Sequence, residues 1–257
     1  MNKISVYVLT FNEQNKIADA IKSVIDWADE VIVIDSYSTD NTADIAVELG
    51  AKVVQVPFYS FGDLRNQALK YCQYQWILSL DADERCTLMA REEILSIIKN
   101  NDTPHCAFLV PRRNYFLGQW VKYSGYYPDY RQPQLFRKGQ LAYTNDLVHE
   151  SYLVEGSIGK LNHPIWQIPF HNLAEILNKA NRYSTLNAER LLGKKSGGLV
   201  RGFLSGGYIF IRKYVFELGF LDGRAGFMIA VGNFIGTLFK YAKLKELEQN
   251  WQPPQIR

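Results

Sequence analysis

The chain has 257 residues, 47% hydrophobic and 21% charged, the balance of a folded protein, and its net charge of +3 is too small to point to nucleic acid. Its three cysteines, Cys72, Cys86 and Cys106, form neither an even disulfide set nor a spaced metal site, which fits reduced thiols. The length suits one core domain with an appendage.

Met1-Asn2-Lys3 leads straight into Ile4–Leu9, a predicted strand too short for the apolar part of a secretory signal. Thr10-Phe11-Asn12-Glu13 then has the form of a capping box, Thr followed three later by Glu. Ile17, Ile21, Val24, Ile25 and Ala28 recur at helical spacing behind it. Val31–Ile34 predicts a second strand ending at Asp35, and the polar loop through Asp40 leads into a short helix stopped by Gly50. Val53–Val56 is a third strand, Leu64, Ala68, Leu69 and Cys72 suit a third helix, and Trp76–Leu80 is a fourth strand.

This alternation predicts an α/β fold with a mostly parallel sheet flanked by helices. Three loops, holding Thr10–Glu13, Asp35–Asp40 and Asp81–Glu84, then converge on the carboxyl edge of the sheet, where such folds bind ligands. No Gly-x-Gly-x-x-Gly and no P-loop is present, which excludes the usual dehydrogenase and P-loop ATPase readings. Asp81-Ala82-Asp83 offers two hard carboxylates suited to a divalent cation. Thr10 and Glu13 can cap a helix, Asp35 and Asp40 can serve a turn, and Arg65 can be a surface helix charge; each stands beside a ligand role.

Ile94, Ile97 and Ile98 suggest another helix and Cys106–Val110 another strand. Residues 111–150 turn rich in Tyr, Trp, Arg and Gly, a composition suited to packing sugar rings or to a small aromatic hairpin layer. From 173 the pattern is helical. Gly202–Ile211 and Ala225–Phe239 are uncharged apolar runs, and residues 200–245 carry seven basic against two acidic residues. Short apolar segments bracketed by basic residues fit helices lying on an anionic membrane surface; a buried helical pair or a homodimer interface fits them too.

The elements Val8-Leu9-Thr10-Phe11-Asn12-Glu13, Val33–Asp40, Arg65-Asn66 and Asp81-Ala82-Asp83-Glu84 together resemble family 2 glycosyltransferases of the GT-A, Rossmann-like fold. Tyr127-Pro128-Asp129, Gln134–Arg137, Val148-His149-Glu150 and Gly219–Gly223 are similar to a narrower group, lipopolysaccharide inner-core β-1,4-glucosyltransferases acting on heptose, with Tyr126 where that group has Trp. The resemblance implies an inverting enzyme using a UDP-sugar, a lipid-linked saccharide acceptor and Mg²⁺ or Mn²⁺. It implies Thr10, Asn12, Glu13, Asp35, Arg65, Asp81 and Ala82 at the nucleotide sugar, with Asp83 as metal ligand. His171, which can equally be a structural histidine, is a second ligand candidate. Glu150 is implied as general base, with Asp129 as runner-up. The expected organisation is a catalytic domain over 1–172 and a helical, membrane-associating region over 173–257, working at the cytoplasmic face of a bacterial inner membrane. A polyprenyl-phosphate sugar synthase and a noncatalytic glycan-binding module are the rival readings.

Overall fold

The computed structural model describes residues 2–100, 103–144, 151–170 and 172–249. The chain divides into two compact units, one of residues 1–113 and 128–167, the other of residues 114–127 and 168–257.

The first unit opens with β1 (Ile4–Thr10), α1 (Ile17–Lys22), β2 (Glu30–Asp35), α2 (Thr42–Glu48), β3 (Lys52–Gln55), α3 (Phe61–Tyr71) and β4 (Trp76–Asp81). It continues through β5 (Glu84–Arg85), α4 (Leu88–Asn100) and β6 (His105–Leu109). Strand β7 (Arg112–Phe116) passes into the second unit, which holds β8 (Gln119–Val121), and the first unit resumes with β9 (Pro133–Arg137), β10 (Leu141–Tyr143), β11 (Tyr152–Val154), β12 (Ser157–Lys160) and β13 (Ile165–Gln167). Seven strands form one sheet in the order β12-β6-β9-β4-β1-β2-β3. Strands β4, β1, β2 and β3 are parallel, as are β12 and β6, while β9 runs antiparallel between β4 and β6.

The central strands are apolar on both sides because both sheet faces are covered. Alternate residues of β1, β2 and β4 enter two separate cores. Val6, Val8, Val33, Leu78 and Leu80 pack with α1 and α4, and Tyr7, Leu9, Ile32, Ile34 and Ile77 pack with α3.

The predicted capping box does not form. Thr10 ends β1, and α1 starts only at Ile17, with Lys16 at its N-cap and no side-chain cap. The Glu13 carbonyl instead accepts from the N–H groups of Lys16 and Ile17, and the Glu13 N–H donates to the Thr42 hydroxyl across to the next loop. Bonds between loops thus replace the local cap. Helix α1 is also shorter than its apolar spacing predicts: Val24 is buried, but in the turns that follow.

The second unit holds the β7–β8 hairpin pairing, α5 (Leu173–Leu191), α6 (Leu199–Ile211) and α7 (Gly223–Gln249). One π-helical turn, Arg212–Phe216, and one 3₁₀ turn, Gly219–Asp222, connect α6 to α7. The two apolar runs read from the sequence fall within α6 and α7.

Helix α3 is seated on β10 with no room to spare. The Asn66 amide donates to the Tyr143 carbonyl (2.8 Å) and accepts from the Tyr143 N–H (3.0 Å). One turn earlier, a Cβ on Gly62 would run into the Thr144 carbonyl oxygen. Ala is worth about 1 kcal/mol more than Gly in a helix interior, whereas a backbone clash of this kind costs roughly 1–3 kcal/mol. Gly62→Ala is therefore expected to lower stability by up to about 2 kcal/mol, measured by urea denaturation; a gain in stability would mean that α3 does not approach β10 this closely.

Candidate functional site

The carboxyl ends of β2, β1 and β4 lie side by side. Asp35 pairs in register with Thr10, and Leu9 with Asp81. At the usual strand separation, the three ends span roughly 10 Å of one sheet edge. Asp35, Thr10 and Asp81, singled out in three separate stretches of sequence, therefore share one edge, with Ala82 tied to it through its N–H to the Leu9 carbonyl (3.0 Å).

The loops after β1 and β2 are laced together. The Asn12 N–H donates to the Ser38 hydroxyl (2.8 Å), and the Asn12 side-chain oxygen accepts from the Thr39 N–H (2.8 Å). The Asp40 carboxylate accepts from the N–H groups of Gln14 and Thr42, so it belongs to the lacing. Burial favours the neutral acid at Asp40, but the bonds from Thr42 and Gln14 outweigh it and hold the carboxyl below the usual range. Asn12 sits at φ +54°, a left-handed conformation that asparagine tolerates.

Asp35 is fully buried, and its carboxylate accepts from the Ser38 N–H and hydroxyl and from the Gln55 amide at 3.4 Å. Beside it, the hydroxyls of Thr10 and Ser36 are buried without a hydrogen-bond partner. Both hydroxyls can donate to a polar group brought to this sheet edge. Glu13 is ion-paired with Lys16 at 3.0 Å.

The acidic turn after β4 is held from two sides. From α3, Arg65 reaches the Ser79 hydroxyl (2.9 Å) and the Asp81 carboxylate (3.0 Å), and its guanidinium lies over the Tyr143 ring. Arg65 is 5% exposed, which removes the surface-charge alternative. From beneath, Glu84 is fully buried, accepting from Arg112 Nε at 2.6 Å, the Gln134 amide at 2.7 Å and the Asp81 N–H at 3.0 Å. Arg112 in turn donates to the Asp129 carbonyl (3.0 Å).

These surroundings push two nearby carboxyls in opposite directions. Burial would raise Asp81, but Arg65 and, behind it, Arg112 hold it below the usual carboxylate range. Burial pushes Glu84 up, Asp81 and Asp83 add to the rise, and Arg112 opposes it. Asp81 is thus kept ionised at the edge while Glu84 depends on its three donors.

Asp83 faces the Gln167 amide at 3.2 and 3.4 Å, a contact set by the antiparallel pairing of β5 with β13. The Gln167 side-chain oxygen is buried without a hydrogen-bond partner. Asp81 and Asp83 are hard-oxygen donors two positions apart in this turn, the ligand type that divalent cations take. Among the described residues no group of three His, Cys, Asp or Glu side chains is placed to hold a metal ion. Asp129, at φ +46°, has both carboxylate oxygens bonded to Arg131, at 2.8 and 3.1 Å. Glu150 and His171 lie outside the described residues.

The sequence assigns no supporting role to Glu84, Arg112 or Gln134: Glu84 and Gln134 stand within stretches that carry the family resemblance, and Arg112 within the segment rich in Tyr, Trp and Arg. Arg112 and Gln134 are 28 and 50 residues away from Glu84, beyond the reach of any local pattern.

Comparison with known proteins places these features in context. The family model described as glycosyl transferase family 2 matches residues 5–152. An uncharacterized glycosyltransferase of Rickettsia typhi is 31% identical over 96% of this chain and 88% of its own. The lipopolysaccharide core biosynthesis glycosyltransferase LpsC of Rhizobium meliloti is 28% identical over 94% of this chain and 91% of its own. Among solved structures, glucosyl-3-phosphoglycerate synthase from Mycobacterium tuberculosis, in complex with Mn²⁺ and UDP-glucose, is 26% identical over 44% of each chain with a TM-score of 0.37. At that overlap it assigns neither donor nor metal to this chain.

The Glu84–Arg112 pair yields a direct test of the support. Removing one partner of a buried ion pair costs about 3–5 kcal/mol, whereas removing both costs far less. Arg112→Leu is expected to destabilise by about 3 kcal/mol in urea denaturation, and Glu84→Gln combined with Arg112→Leu to recover half of that or more. Additive losses would show that the two side chains do not act as a pair.

Proposed function

Because this chain belongs to glycosyl transferase family 2, we propose that it moves glucose from UDP-glucose, with inversion, onto a heptose hydroxyl of the lipopolysaccharide inner core. The observation that carries this reading is the near full-length similarity to a lipopolysaccharide core glycosyltransferase, joined to the acidic edge built around Asp81 and Asp83. The donor's uracil would meet Asp35 and its ribose Asp81, with Thr10, Asn12 and Glu13 forming the wall. The unpartnered Thr10 and Ser36 hydroxyls support a polar ligand there.

Asp83, assisted by His171, would hold the divalent cation, Mg²⁺ or Mn²⁺. When bound, the cation offsets the charge that develops on the departing diphosphate. Arg65 adds positive charge behind Asp81 on that same side. The acceptor oxygen attacks the anomeric carbon as the bond to UDP breaks, and a carboxylate takes the acceptor's proton. Glu150 is our choice for that base. Asp129 is disfavoured because Arg131 engages both of its oxygens.

The acceptor is lipid-linked, so the enzyme would work as a peripheral protein at the cytoplasmic face of the inner membrane, with homodimerisation as a further expectation. A polyprenyl-phosphate sugar synthase is the second reading, favoured by the apolar stretch Gly219–Gln249, long enough at 31 residues to cross a membrane. Its phosphate acceptor would need no carboxylate base.

The test is a panel of UDP- and GDP-sugars with heptose-containing core lipid or polyprenyl phosphate, reading UDP release and product linkage. We expect UDP-glucose and core lipid to be selected. Glu150→Gln should lower transfer about 10²–10⁴-fold while UDP-glucose affinity stays within about twofold. Normal turnover in Glu150→Gln would remove that residue from the mechanism, and transfer to polyprenyl phosphate alone would favour the second reading.

A further inference from the structure

We propose that α6 docks its outward face on an anionic lipid bilayer, and that α7, despite its length, is the packing partner that holds α6 in place. This builds on the membrane-associated transferase described above and assigns the contact to one helix face.

Helix α6 is packed the opposite way round from a helix of a soluble core. Its buried positions are the glycines, Gly202 and Gly206. A Cβ at Gly202 would lie 2.9 Å from the Leu238 carbonyl oxygen, and one at Gly206 would lie 3.0 Å from that of Phe234. The two backbones therefore close on each other through a Gly-x-x-x-Gly face, the kind of contact that small residues provide between helices in lipid. The large residues turn outward: Val200, Phe203, Leu204 and Tyr208 are 75%, 63%, 67% and 62% exposed. Three of these, Val200, Phe203 and Leu204, line a shallow groove with Leu199 and with Leu238 of α7. Water makes such a contiguous apolar face costly, and a hydrocarbon phase does not.

Charge selects the occupant. Residues 192–224 carry six basic and two acidic side chains, a net of +4. Lys194, Lys195, Arg201, Arg212 and Arg224 are exposed. Both acids are engaged within the unit. Glu217 is ion-paired with Arg212 (2.8 Å) and Lys213 (2.6 Å), and Asp222 accepts from the N–H groups of Lys122 (3.0 Å) and Tyr123 (2.8 Å). An apolar stripe bordered by exposed cations matches an anionic headgroup layer over acyl chains.

Geometry selects α6 as the element that enters and argues against a span. The uncharged part of α6, Gly202–Ile211, measures about 15 Å, short of the roughly 30 Å hydrocarbon core, with Arg201 before it and Arg212 and Lys213 of the π-helical continuation after it. Helix α7 is held along two flanks. A Cβ at its Gly236 would lie 3.7 Å from Ala180 of α5, and its Phe234 packs edge-on against Phe203 of α6 at 5.6 Å. Near its end, the Lys243 ammonium shares its three N–H donors among two Asn181 oxygens (2.8 and 2.6 Å), Ser184 Oγ (2.9 Å) and Thr185 Oγ1 (2.7 Å) of α5. Crossing the bilayer would strip α7 of these partners.

The test uses the full chain with vesicles of phosphatidylglycerol and phosphatidylcholine, compared with pure phosphatidylcholine. Flotation is read for the wild type and for Phe203→Glu combined with Leu204→Glu, and transfer to a water-soluble, deacylated heptose acceptor is assayed in the same preparations. We expect the wild type to float with anionic vesicles, at least tenfold less with neutral ones, and the variant to lose at least tenfold of its flotation while keeping soluble transfer. A fluorophore on Leu204→Cys should shift to the blue on vesicle addition, and one on Glu246→Cys should not, which keeps the test decisive even if the double variant fails to fold. Unchanged flotation of a folded variant, a wild type that stays soluble, or a lipid-free dimer that the variant dissolves would each overturn the proposal. Loss of soluble transfer in the wild type would instead count against the transferase reading.

Discussion

A fully buried carboxylate cannot be left to itself, and the Glu84 environment is the constraint from which the rest of the acidic edge follows. Glu84 draws Arg112 from β7, the Gln134 amide from β9 and the Asp81 N–H from its own turn into one cluster. Because that N–H belongs to Asp81, satisfying the buried charge also sets the turn that carries Asp81 and Asp83. Arg65 then approaches Asp81 from α3, which Gly62 and Asn66 seat on β10. The half-buried Asp81 and Asp83 are thus positioned by a buried cluster of Arg65, Glu84, Arg112 and Gln134. The opposite pKa displacements of Asp81 and Glu84 are the electrostatic consequence of the same arrangement.

The strands and the acidic edge were legible in the sequence because each is a contiguous signal. Val31–Ile34 is an unbroken apolar run and Trp76–Leu80 one interrupted only by Ser79, each ending in a carboxylate, and a parallel sheet brings such ends together without further instruction. What failed was local chemistry overruled at a distance. Thr10 and Glu13 have capping-box spacing, yet the Glu13 N–H finds Thr42, 29 residues on, and Thr10 stays in the strand. The supports were invisible for a related reason. Nothing in the residues around Arg112 or Gln134 indicates a partner 28 or 50 positions upstream.

The C-terminal region shows a different limit. Its apolar runs and basic residues point to a membrane or to a buried helical pair, and composition cannot separate the two. Side-chain size supplies the missing distinction. In α6 the glycines face α7 with Phe203 and Phe210 at the margins of that contact, while Val200, Leu204 and Tyr208 stay largely exposed, so packing between the helices accounts for one face and not for the other. Hydropathy averaged over a helix erases that contrast, and it is length that makes the region of α7 a candidate span.

The central claim is that the edge formed by Asp81 and Asp83 receives a nucleotide diphosphate together with a divalent cation. Calorimetric titration of UDP into the wild type and Asp83→Asn, each with and without Mn²⁺, tests it most directly. UDP binding by the wild type should strengthen at least tenfold when Mn²⁺ is present, and Asp83→Asn should lose that gain while keeping the metal-free affinity. Equal UDP affinity with and without metal in the wild type, or a full Mn²⁺ gain in Asp83→Asn, would contradict it.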